Sequence, residues 1–245
     1  MRLSLLVVPL LFLAATVRAQ EVTTLIVPVV GSTFGPTMIR WRTDVDIANP
    51  TALETDVAIE LAAIPDAPVF AFTLAPGQSQ HFTDIITQAF GLDSALSPLR
   101  VTTPAHHSVL VRASAYALRD AEVSPLQPID VYSRNTWYPI RALDGLEFSD
   151  EYRTNIGLAN TGDRDADFLL ALQRVPGRNL ALTHVRVGAN SLQHTSIQSL
   201  FPLITSGSGF SVVVETASRD THVYASVIEN ATNAAKFVAS SVGIR

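Results

Sequence analysis

The chain is written twice. From Pro28 to Leu92 every residue aligns without a gap on the residue 111 places later. Twelve of the 65 pairs are identical, among them Arg42/Arg153, Thr43/Thr154, Ala48/Ala159, Asn49/Asn160, Pro65/Pro176 and Gly77/Gly188. After one inserted residue the match resumes at an offset of 112, through Val101/Val213, Val111/Val223, Ala113/Ala225 and Ser114/Ser226. A repeat of fixed period dictates an architecture before any motif does. About 110 residues is one ordinary domain, so the duplication predicts two domains, residues 20–133 and 134–245. The boundary near Tyr132–Asn135 has no Gly/Pro-rich tether, which predicts a fixed tandem pair.

Within each copy the apolar period is two, the period of a half-buried strand. Val45 and Ile47 alternate with Asp44 and Asp46, and Ile156 and Leu158 stand in the same places of the second copy. Val57, Ile59 and Leu61 repeat the scheme, matched by Phe168, Leu170 and Leu172. Further strands are expected at 68–74 and 179–187, 99–103 and 211–216, and 108–117 and 221–229. Pro28 and Pro139 sit in the opening strand of each copy, where an edge position would tolerate the missing N–H. Turn residues such as Asn49-Pro50 and Ala75-Pro76-Gly77 separate the runs. Short strands punctuated in this way read as an all-β chain of antiparallel sandwiches. Each copy is interrupted by one short helix, marked by Phe82, Ile85, Ile86 and Phe90 and by Ile197, Leu200 and Phe201.

Residues 1–19 have the pattern of an export signal: Arg2, an apolar run from Leu5 to Ala15, and the small-x-small site Val17-Arg18-Ala19. The run is too short to span a bilayer, and no second long apolar segment follows. The expectation is a secreted, periplasmic or cell-surface protein without a transmembrane segment. There is no cysteine, so two domains must rely on their own cores rather than on disulfides. The formal charge is −5, and Lys236 is the one lysine. Without a basic block, nucleic acid is a poor partner.

The string Trp41-Arg42-Thr43-Asp44-Val45-Asp46-Ile47-Ala48-Asn49-Pro50 returns as Tyr152-Arg153-Thr154-Asn155-Ile156-Gly157-Leu158-Ala159-Asn160. It resembles the strand motif of bacterial secreted tandem immunoglobulin-like repeat proteins. So does the ending Tyr224-Ala225-Ser226-Val227-Ile228-Glu229-Asn230-Ala231-Thr232. The resemblance implies two tandem immunoglobulin-like β-sandwich domains at the cell surface or secreted, and it implies no catalytic residues.

Arg42 and Arg153 each follow an aromatic residue, Trp41 and Tyr152, at the start of a strand. These four are the candidate binding residues, a stacked surface for a carboxylate, a sugar or a partner strand. The competing reading ties each arginine to a nearby acid and uses the aromatic to cover an open sandwich end. Asp163, Asp165 and Asp167 alternate in one hairpin and are the calcium candidate. They lack the glycine and the distant glutamate of a hand-type loop, and a solvated hairpin tip explains them as well. Asp44, Asp46 and Asp56 lie on an open sheet face rather than in a cleft. His81, His106, His107, His184, His194 and His222 form no zinc motif, and Ser206-Gly207-Ser208-Gly209 is no nucleophile elbow. Asn230-Ala231-Thr232 has the form of a glycosylation acceptor.

The chain therefore reads as a non-enzymatic surface, adhesive or assembly component without a cofactor. Its expected partners are a protein or glycan at the cell surface, or a second copy of itself. The alternatives are a periplasmic chaperone-like protein of two domains, and a carbohydrate- or calcium-dependent binding module.

Overall fold

The computed structural model describes residues 21–35, 39–119, 122–134 and 136–242. The expected export signal, residues 1–19, lies outside the described residues, as does Asn135 of the expected boundary. The elements of the first half are β1 (Val22–Phe34), β2 (Arg40–Ala48), β3 (Thr55–Leu61), β4 (Phe70–Leu74), β5 (Ser79–Phe82), α1 (Ile85–Phe90), β6 (Ala95–Pro104), β7 (Leu110–Arg119), β8 (Glu122–Val123), β9 (Gln127–Ile129) and β10 (Tyr132–Ser133). The second half runs β11 (Ile140–Phe148), β12 (Tyr152–Asn160), β13 (Ala166–Val175), β14 (Arg178–Val187), β15 (Ser191–Ser196), α2 (Ile197–Leu200), β16 (Gly207–Glu215), β17 (Thr221–Glu229), β18 (Ala235–Ala239) and β19 (Ser241–Val242). Among the described residues the fold is all-β apart from two short helices. Every strand pairing is antiparallel. No helix among the described residues is long and apolar enough to cross a membrane.

The strand orders of the halves correspond. The first half has β4-β3-β6-β1 and then β2-β7, with β5 beside β2 and β9 beside β7. The second has β14-β13-β16-β11-β19 and, separately, β15-β12-β17-β18. In the first half β1 joins the two strand groups into one sheet: Val22–Ser32 pair with β6, and Ser32–Phe34 pair with β2. Pro28 is therefore not on a free edge. It falls where the β1–β6 register shifts between Val27 and Val30, a bulge in which no ladder bond is asked of it.

Alternation decides what is buried. Val45, Ile47, Ile156 and Leu158 are fully buried, as are Val57, Ile59, Phe168, Leu170 and Leu172. The repeated Thr and Asn of the strand motif have internal work. Asn49 Nδ2 donates to the carbonyls of Leu53 (2.7 Å) and Leu74 (3.0 Å), and its Oδ1 accepts from Thr51 N (3.0 Å). Asn160 Nδ2 does the same with Arg164 O (2.7 Å), Val187 O (3.2 Å) and Gly188 O (2.9 Å), and its Oδ1 accepts from Gly162 N (3.0 Å). Each asparagine is 1% exposed and ties the end of its strand to carbonyls of the neighbouring hairpin ends.

The gapless alignment slips in three places, the first being the opening strand, where Leu25 and Arg141 hold matching positions and Pro139 lies ahead of β11. The arm from Thr55 to Leu74 is two residues shorter than its counterpart from Ala166 to Val187. Three residues after each arm comes a left-handed turn position, Gly77 (φ 71°) in the first half and Asn190 (φ 47°) in the second, so Gly188 is not the structural partner of Gly77. Ile59 pairs with Val101, and Leu170 pairs with Val214. Val214 is buried, so it rather than Val213 stands in the place of Val101.

Two hydrophobic clusters form, and the first is not confined to its own half. Tyr224 belongs to it, and Leu192 and Phe237 pack against it. Charged side chains fix the junction. Arg100 binds Glu60 Oε1 (2.5 Å) in its own half, and the Thr161 carbonyl and Asn190 Oδ1 (2.5 Å) in the other. Arg134 binds Asp220 at 2.9 Å.

Candidate functional site

One register position differs between the halves and builds the site. In the first half Asp46 on β2 is flanked by His81 on β5 and Arg112 on β7. All three are exposed, and His81 Nδ1 lies 2.7 Å from Asp46 Oδ1. In the second half the same row reads His194, Gly157, Tyr224. A Cβ on Gly157 would stand 2.0 Å from Tyr224 Cζ, so only glycine lets the ring lie across β12. Tyr224 is 1% exposed and stacks on Phe237, with centroids 5.3 Å apart. Its hydroxyl is hydrogen-bonded to His194 Nδ1 at 2.9 Å. Burial raises the Tyr224 pKa. The His194 ring keeps an open edge, yet the protein packed around it pushes its pKa down to about 4.

This outer face of β12, β17 and β18 turns toward the first half and encloses a cleft of about 270 Å³ between the two. Trp41, Arg42 and Arg153 all line it; Tyr152 does not, and packs instead against the second core. Three of the four residues proposed for binding are thus brought to one cleft from opposite halves.

The two arginines differ in their partners. Arg42 Nε lies 3.1 Å from Asp84 Oδ2. Asp84 is buried ahead of α1 and also accepts from Ser32 Oγ (3.1 Å) and Thr87 Oγ1 (3.0 Å). Its backbone N–H donates to Asp44 Oδ1 at 2.9 Å. Nearby Tyr116 is pushed up to about 12, first by burial and then by Asp44. Arg42 is therefore an internal tie. Arg153 instead donates to two neutral oxygens, Asn230 Oδ1 (2.8 Å) and Asn233 Oδ1 (2.7 Å), in the β17–β18 turn. Burial lowers its pKa, and among the described residues no carboxylate lies within ion-pair distance of it.

The remaining candidates stay apart. Asp165 is held by Arg186 (3.0 Å) and by the backbone N–H of Ala189 (3.2 Å). Asp167 faces His184 at 3.8 Å, and no group of three metal-capable side chains gathers among the described residues. Asp56 accepts from Thr73 at 2.8 Å, away from Asp44 and Asp46. His107 meets Thr55 Oγ1 at 3.2 Å. Asn230 is committed to Arg153 and to the carbonyl of Asp150 (2.9 Å). Sequence reasoning missed the role of His194 and Tyr224; the exchange of Asp46 for Gly157 was the signal that could have found them. No family model matches the chain, and no curated protein or solved structure gives a match.

Proposed function

We propose that the chain is an exported, non-enzymatic protein of two tandem immunoglobulin-like sandwiches that acts as a surface, adhesive or assembly component. The corresponding strand orders and the two cores support the paired sandwich. The pattern of residues 1–19 supports export, and the strand motif supports the resemblance to secreted bacterial repeat proteins.

The observation that carries the interaction role is the free edge of the second half. β14 is the terminal strand of its sheet, ten residues long, with neither proline nor lysine to blunt it. Leu180 and Leu182 are exposed along it, and Leu169 is exposed on the adjacent β13. Arg178 and Arg186 charge its two ends, and the run Asn179–Thr183 between them carries no charge, so another strand can pair there through the unused backbone groups. The partner is a protein strand, a second copy of this chain included.

Light scattering with size-exclusion chromatography of the chain from Gln20 tests this, with surface-displayed protein as bait. Concentration-dependent association or bait capture, abolished by Leu182→Lys, is the expected result. A monomer that captures nothing, or association indifferent to Leu182→Lys, overturns it.

A further inference from the structure

We propose that the cleft between the halves binds a small organic carboxylate with an apolar body, its anionic end on Arg153. This stands independently of the β14 edge, which lies elsewhere on the second half. The walls are largely apolar, with Val29, Leu96 and Ile129 from the first half facing Phe237 from the second. A ligand pocket is typically this combination, an apolar enclosure with a few convergent polar groups.

The charge balance selects the ligand's head group. Arg42 already has Asp84, whereas Arg153 uses two of its five donors on amide oxygens and, among the described residues, has no carboxylate within ion-pair distance. Asn233, 3% exposed, gives its Oδ1 to Arg153 and leaves its own Nδ2 without a partner. Arg153 therefore brings to the cleft a cation with no carboxylate beside it among the described residues, a charge that an anion completes. The volume of about 270 Å³ sits just below the usual range for drug-sized ligands. It suits an acid of roughly a dozen non-hydrogen atoms.

The probe is 4-phenylbutanoate, with 4-phenylbutanamide as its neutral counterpart. The chain has two tryptophans, and Trp137→Phe leaves Trp41, in the cleft wall, as the reporter. A saturable change in Trp41 fluorescence is expected with the acid. The amide should bind about tenfold more weakly, and Arg153→Gln should weaken the acid by about tenfold. Ala235→Phe, which fills the cleft and leaves Arg153 in place, should abolish binding without altering the circular dichroism spectrum. No saturable response to the acid, equal affinity for acid and amide, or undiminished binding in Arg153→Gln or Ala235→Phe overturns the proposal.

Discussion

The Tyr224 ring occupies the space above Gly157, so close that a methyl group on the glycine would stand 2.0 Å from Cζ. Tyr224 is also part of the first half's core, so this contact between two strands of the second half governs how the halves fit. Gly157→Ala must displace the ring or bend β12. It should cost about 1–3 kcal/mol, the range for overpacking a close-packed site. Urea unfolding measures it, and a double-mutant cycle with Tyr224→Leu should recover part of the loss.

His222 gives the protein an acid-sensitive junction. It is 3% exposed, packs on Tyr132 (5.3 Å between centroids), and has its pKa pushed down to about 3, first by burial and then by Arg141. A histidine with a depressed folded pKa stays neutral in the native chain and takes up a proton on unfolding. Its stabilisation is complete above the unfolded value of about 6.5 and is lost as the pH falls below it. Between pH 7 and pH 5 this one group should remove about 2 kcal/mol. His194 acts in the same direction and by less, because its ring keeps an open edge. Unfolding free energies at the two pH values should show the loss, and His222→Gln should flatten the slope.

Asn49 and Asn160 predict a matched pair of effects. Each side-chain amide satisfies buried carbonyls at a strand end, so replacement by alanine strands them. The cost should be about 2–4 kcal/mol at either site, read by thermal or urea unfolding. Serine, which reaches fewer of those carbonyls, should rescue little.

Arg100 binds one carboxylate of its own half and two oxygens of the other. Arg100→Gln should lower stability by about 1–2 kcal/mol. It should also uncouple the halves, so that a single calorimetric transition broadens or splits. Unchanged cooperativity would show that the remaining contacts, Tyr224 and the Arg134–Asp220 pair among them, hold the halves without it.

Period-two alternation was enough to place β2, β3, β12 and β13 and their inward residues, because one buried face fixes a strand's register. It misplaced Pro28, since a bulge and an edge both excuse a missing N–H and the sequence does not separate them. The repeat alignment paired Val101 with Val213 because it registered one inserted residue where the longer arm of the second half requires two. The site was half legible. Aromatic-arginine pairs pointed to Trp41, Arg42 and Arg153, but Tyr152 faces another way. His194 and Tyr224 were hidden because alternation tells which side chains leave their own core. It does not tell that a second body covers them.

Asp46, His81 and Arg112 form the face by which the first half would meet a preceding unit, if units stacked as these two do. Seating such a unit there would strip water from a carboxylate, an imidazole and a guanidinium with no aromatic ring to replace it. The two halves therefore present unlike faces at this row, and the first half lacks the ring-over-glycine seat by which the second receives its neighbour.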